Sequence, residues 1–126
     1  MDQEKIAAEL CEQALKILKA RGLNFKPMRS RYSHVNTKHG FIVGRTSLKT
    51  GLVTIDIWTP KKRQPKSLAG ILRTLCHEAA HHQKKPYRQR YRGRWIIRQH
   101  YPSFYKQVNK NIIKLKKSRE LGKYFS

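Results

Sequence analysis

Apolar residues first recur with a helical period. Ile6, Leu10, Ala14 and the pair Ile17 and Leu18 are spaced three or four apart, which predicts an amphipathic helix over residues 4–21. Asp2, Glu4 and Glu9 come early in it and Lys16, Lys19 and Arg21 late, the arrangement that complements a helix dipole. Gly22 then reads as its stop. The period shortens afterwards. Residues 31–36 and 41–45 are expected as two strands with Lys38-His39-Gly40 as the turn between them. A second turn, Lys49-Thr50-Gly51, precedes Leu52 to Trp58, the stretch richest in β-branched residues. Thr59-Pro60 and the basic run Lys61-Lys62-Arg63 break that pattern.

The helical period then returns twice. Ser67 is a good N-cap for a helix running to about Gln83. Pro86 and Gly93 punctuate a basic, aromatic connector over residues 84–99, and Pro102 suits the first turn of a last helix ending near Leu121. Phe104, Val108, Ile112 and Leu115 are that helix's apolar stripe. The order helix, small antiparallel sheet, helix, connector, helix argues for an α+β fold. No internal repeat is visible, and 126 residues suit one domain over 1–126.

Charge narrows the class of partner. Lys and Arg total 29 against 7 acids, a formal net charge of +22. Such a surface self-repels, which fits a monomer, and it attracts polyanions. Nucleic acid is the expected partner, because each phosphate neutralised releases counterions. No stretch approaches the roughly 18 apolar residues of a membrane span. Met1 to Leu10 holds three acids, unlike a secretory or transit signal. Cys11 and Cys76 form no CxxC pair and lie among apolar residues, so they read as reduced core thiols. An intracellular setting follows, in the cytoplasm or with the nucleoid or nucleus.

The chemistry concentrates in His77-Glu78-Ala79-Ala80-His81. On a helix His77 and His81 project from one face, so two imidazoles can reach one tetrahedral zinc. Glu78 lies about 100° round the helix, near enough to act as general base on water that a zinc ion acidifies. Leu68, Leu72, Leu75 and Ala79 fall on one side of this helix. His77 and His81 fall nearly opposite, in line with the small residues Gly70 and Thr74, so they face a cleft. From Ile57 to Arg119 Glu78 is the only acid among eighteen Lys and Arg, and a lone carboxylate in so basic a stretch suggests a specific task.

A catalytic zinc needs a third protein ligand and an open position. His82 is adjacent to His81 and points about 100° away from it. His34 and His39 lie in the expected strand and turn and read as exposed loop residues. His100 stands just before Pro102, at the mouth of the last helix, and is the preferred third ligand.

These residues resemble the SprT-like zinc metallopeptidases. Residues 68–81, Leu-Ala-Gly-Ile-Leu-Arg-Thr-Leu-Cys-His-Glu-Ala-Ala-His, look like that family's active-site helix. His100-Tyr101-Pro102-Ser103-Phe104 looks like its later His-Gly-x-x-Phe or Trp motif, with Tyr101 in place of the glycine. Val53-Thr54-Ile55-Asp56-Ile57 sits where the family has its substrate-side strand. The resemblance covers residues 50–108 and, by layout, the first helix. It implies a zincin-like fold, with His77, His81 and His100 holding one zinc ion, Glu78 as general base, and an extended peptide added to a sheet edge. Relatives of the Spartan type cleave proteins crosslinked to DNA. No cysteine follows Cys76, so the zinc ribbon of some relatives has no counterpart here.

Between the motifs, residues 84–98 interleave Lys84, Lys85, Arg88, Arg90, Arg92, Arg94 and Arg98 with Tyr87, Tyr91 and Trp95. The cations suit phosphate contacts, joined by Lys61, Lys62 and Arg63 and by Lys66. The aromatics, four apart, either stack on bases or pack as a helical stripe. Lysines 106, 110, 114 and 117 read as the solvent face of the last helix.

The leading expectation is therefore a zinc metallopeptidase acting on proteins bound or crosslinked to DNA, with Tyr101, Tyr105 or His82 steadying the oxyanion. The alternative is a non-catalytic nucleic-acid-binding module with a structural zinc. A zinc nuclease ranks below both, because only Asp56 and Glu78 offer carboxylates near the centre.

Overall fold

The computed structural model describes residues 2–35 and 42–125. Helix α1 (Gln3–Ile17) opens on Asp2, whose carboxylate accepts from the Glu4 amide at 3.2 Å. Strands β1 (Asn24–Pro27), β2 (Gly44–Thr46) and β3 (Leu52–Ile55) follow, then α2 (Leu68–Gln83), β4 (Tyr87–Tyr91), β5 (Arg94–Arg98), α3 (Pro102–Lys116) and a 3-10 turn (Gly122–Phe125). The architecture is α+β. Among the described residues no helix is long and apolar enough to cross a membrane.

The expected antiparallel sheet is instead mixed. Its order is β1-β3-β2, with β1 parallel and β2 antiparallel to β3. The first strand forms at residues 24–27, where Phe25 points into the core; of the stretch expected as a strand at 31–36, the described residues 31–35 form none, and 31 and 32 are a turn. Its four residues are too few to show an alternation, and Pro27 is tolerated because β1 is an edge strand. Of the strand expected over 41–45, residue 41 lies outside the described residues, 42 and 43 are not strand and β2 starts at Gly44; Leu52–Trp58 shortens to Leu52–Ile55. His39 lies outside the described residues. The turn at Gly51 is set by backbone: its φ is +78°, and a Cβ there would lie 2.1 Å from the Gly22 carbonyl oxygen.

One hydrophobic cluster joins α1, the sheet and α2. It includes Ala7, Cys11, Leu15, Val53, Ile55, Ile57, Leu72, Leu75 and Cys76. Both cysteines are free and buried, and burial pushes the Cys76 thiol up to about 12, so neither is a reactive thiolate. Helix α3 ends at Lys116, earlier than expected, and Leu121 reaches back into the core beyond it.

Loops are tied by one buried ion cluster. Asp56 is 0% exposed. Arg63 meets it with a two-pronged guanidinium, at 2.9 and 3.1 Å, and Arg29 donates to it at 2.9 Å. Arg63 also donates to the Ser30 and Arg31 carbonyls, and Arg29 to that of Ile42. Burial opposes a charge on Asp56, but the two arginines outweigh it and hold the carboxyl below the usual range. Arg63 is thus a structural residue. Its expected place in a phosphate-binding patch is corrected, because its donors are spent inside the fold.

Candidate metal centre

Helix α2 starts where expected, with Ser67 Oγ accepting from the Gly70 amide at 3.0 Å. Its core stripe buries Ile71, Leu72, Leu75, Cys76 and Ala79. Since that stripe is fixed against the sheet, His77 and His81 emerge on the other side, beside α3. Their rings are 5.0 Å apart, centre to centre. His100, just before α3, lies 5.2 Å from His77 and 5.0 Å from His81. One nitrogen from each of the three falls within 4.8 Å of the others.

Three converging imidazoles, two on α2 and one just before α3, suit a single metal ion. His77, His81 and His100 lie close enough together to hold one. Burial lowers the pKa of His77, and burial with His77, His100 and His82 nearby lowers that of His81 to about 4. Both therefore favour the neutral form that ligates. Of the other histidines considered, His34 is exposed and outside the cluster, and His82 hydrogen-bonds through Nε2 to Thr46 Oγ1. That bond ties the end of α2 to β2.

Two residues hold the triad in place, and only one was visible in the pattern. Phe104 is fully buried, stacked on His81 at 4.5 Å and edge-on to His77 at 5.0 Å. Asn111, a single polar residue on the inner face of α3, was not singled out. It donates to the Cys76 carbonyl at 3.1 Å and to Gln83 at 2.7 Å, and accepts from Gln107 at 3.0 Å. The clamp sets α3, and so His100, against α2.

The chain matches no family model, no curated protein and no solved structure. What it can do is therefore argued from its own residues.

A cavity of about 720 Å³ opens on the triad. Its walls include Val43, Gly44 and Thr46 from the sheet side, Arg73, Thr74 and Glu78 from α2, and Val108 and Ile112 from α3. Glu78 is buried, and burial raises its pKa to about 7. A carboxyl tuned there can both accept and return a proton near neutral pH. Gly44 explains how β2 lies so near it. A Cβ at Gly44 would sit 2.9 Å from Thr74 Cγ2 and 3.1 Å from Glu78 Oε1. Glycine inside a strand is a signal of close backbone approach, and this one was readable in advance.

The side chains considered for the oxyanion are now distinguished. Tyr101 donates its hydroxyl to the Lys85 carbonyl at 2.9 Å, His82 is bound to Thr46, and Tyr105 stacks beside His100 at 6.1 Å.

The basic segment departs most from expectation. Residues 87–98 form an antiparallel hairpin, so Tyr87, Tyr91 and Trp95 make no helical stripe. Paired residues share a face, which puts Trp95 opposite Arg90 on one side, and Tyr87 and Tyr91 on the other. Arg92 and Gly93 both have positive φ, 50° and 77°, the conformation of a two-residue hairpin turn. Lys84, Lys85, Arg88, Arg90, Arg92, Arg94 and Arg98 are all exposed. Lys61 and Lys62 are exposed too, but precede α2, whereas the hairpin follows it. The ends of that 16-residue helix are about 24 Å apart, so the two groups are not one continuous patch.

Proposed function

We propose that the protein is a zinc metallopeptidase of the SprT-like, zincin type that hydrolyses proteins held on DNA. The observation that carries this reading is the meeting of His77, His81 and His100 with the buried carboxyl of Glu78 at one open cavity. A zinc ion held by the three histidines would supply a Lewis acid for the scissile carbonyl and acidify the attacking water. Glu78 would be the general base beside it, accepting a proton from the attacking water and returning it to the leaving amine. β2 is an outer strand whose residues line the cavity, which suits an extended peptide added alongside it. Arg73 gives the cavity a cation among its apolar walls. The exposed arginines of the hairpin supply attraction to the nucleic acid.

The donor set favours catalysis over a structural zinc. Structural sites close all four positions with side chains. Here three donors gather among the described residues and a cavity opens beside them. The test is cleavage of an unfolded protein bound to duplex DNA by the zinc-loaded chain. Wild type is expected to release fragments and Glu78→Gln to release none. Full cleavage by Glu78→Gln, or none by zinc-loaded wild type, overturns the proposal.

A further inference from the structure

We infer that the β4–β5 hairpin is an arm that enters the major groove of duplex DNA, with Arg88, Arg90, Trp95 and Ile97 on its groove side. The inference rests on the nucleic-acid half of the proposed function and is independent of peptide hydrolysis.

Among the described residues the hairpin packs on no helix and on no other strand. It is fixed at its base, by Tyr101 donating to the Lys85 carbonyl and by Tyr87 against Tyr101 at 5.1 Å. Nine of its ten strand residues are exposed, Ile96 being the exception. A free two-stranded ribbon is marginal by itself, so its sequence must supply its order. The Arg92-Gly93 turn fixes the register, and Arg98 donates to Gln89 at 2.8 Å across the strands.

Both faces are cationic. Register places Arg88 opposite Ile97 and Arg90 opposite Trp95 on one face. Tyr87 with Arg98, and Tyr91 with Arg94, lie on the other. Residues 84–98 carry seven cations and no acid. Trp95 and Ile97 are 59% and 65% exposed, large apolar groups held out among arginines. Apolar side chains next to guanidiniums match a groove floor, where thymine methyls lie beside guanine acceptors.

The aromatic rings decide between duplex and single strand. A single-strand platform offers open rings to bases. Here the guanidiniums of Arg88 and Arg90 lie 5.2 and 5.7 Å from the Trp95 ring centre. Those of Arg92 and Arg98 lie 5.2 and 5.7 Å from that of Tyr91. The Trp95 and Tyr91 rings thus already carry guanidiniums, which favours their orienting arginines over stacking on bases. A two-stranded ribbon fits the major groove of B-form DNA, about 12 Å wide, whereas the deep, narrow groove of duplex RNA excludes it. The arm is spliced between His81 and His100, so its docking sets the metal cleft beside the duplex.

The experiment measures anisotropy of a labelled 20-base-pair DNA duplex with the zinc-loaded full chain over a salt series. Wild type should bind it at least tenfold more tightly than the single strand or the RNA duplex of the same sequence. Replacing Arg88, Arg90, Arg94 and Arg98 by Gln should flatten the salt slope by up to about 3.6, at about 0.9 per phosphate contact. Replacing Lys106, Lys110, Lys114 and Lys117 by Gln removes the same charge from α3 and its C-cap and should weaken binding much less. Arg88→Gln with Arg90→Gln, which leaves the Arg98–Gln89 bond in place, should by itself weaken binding more than the α3 variant. Zinc stoichiometry, read on every variant, should stay at the wild-type value. Equal weakening by the α3 and hairpin variants overturns the arm, as does equal binding of single-stranded DNA or duplex RNA.

Discussion

The metal cleft and the hairpin are joined at Gln83 and His100 yet are built on opposite principles. In the cleft the functional side chains sit on packed helices or, for His100, directly before one. Phe104 wedges the histidine rings, Asn111 clamps α3 to α2, and burial tunes Glu78. In the hairpin almost nothing is buried, and order comes from a turn, a register and arginines lying over aromatic rings. Chemistry that needs atoms held to within about 0.5 Å belongs on the first kind of support. Recognition of a repetitive polyanion tolerates the second, because phosphate contacts are numerous and individually modest.

The comparison can be broken most sharply by removing metal. Chelation should abolish peptide cleavage and added zinc should restore it, while affinity for duplex DNA changes less than twofold. A parallel loss of DNA affinity would mean that the two regions are one cooperative unit.

Next in size is a contrast between two arginines. Arg63→Ala strips a buried carboxylate of its principal partner and should cost about 3 kcal/mol of stability by denaturant unfolding, with DNA affinity nearly unchanged. Arg88→Ala should do the reverse. The same cluster sets an acid limit. Asp56 has its pKa depressed in the fold, so its contribution is complete above its unfolded value of about 4 and is lost as pH falls below that. Thermal midpoints measured from pH 6 to pH 3 should fall in wild type, and less steeply in Asp56→Asn, which starts lower.

Asn111→Leu should cost about 1–3 kcal/mol by removing the buried bonds to the Cys76 carbonyl and to Gln83, and should weaken zinc binding through misplacement of α3. The smallest effect is expected at the turn. Gly93→Ala puts a Cβ at φ 77° and should destabilise the hairpin by about 1–2 kcal/mol without moving the unfolding midpoint of the core. A shift of that midpoint would show that the hairpin is coupled to the cleft.

The helices and the triad were legible because helical spacing carries its geometry with it. Ser67 marks the start of α2, the leucines mark its buried side, and His77 and His81 must then face away. His100 was legible through its place before Pro102 and Phe104. Partnerships between distant residues left no periodic signal. Arg63 looked like the end of a basic run, since nothing local announces that Asp56, seven positions earlier, will meet it in the interior. Asn111 looked like one more polar residue among lysines. β1 is too short to alternate. The hairpin was hidden by aromatics four apart, which imitate a helix, although Arg92-Gly93 was a turn signal in plain sight.

The most direct measurement is metal content per chain after exhaustive dialysis of wild type and His100→Ala. The account predicts one zinc per wild-type chain and loss of tight zinc from the variant, with the secondary structure of both alike by circular dichroism. Stoichiometric, tightly held zinc in His100→Ala would contradict it.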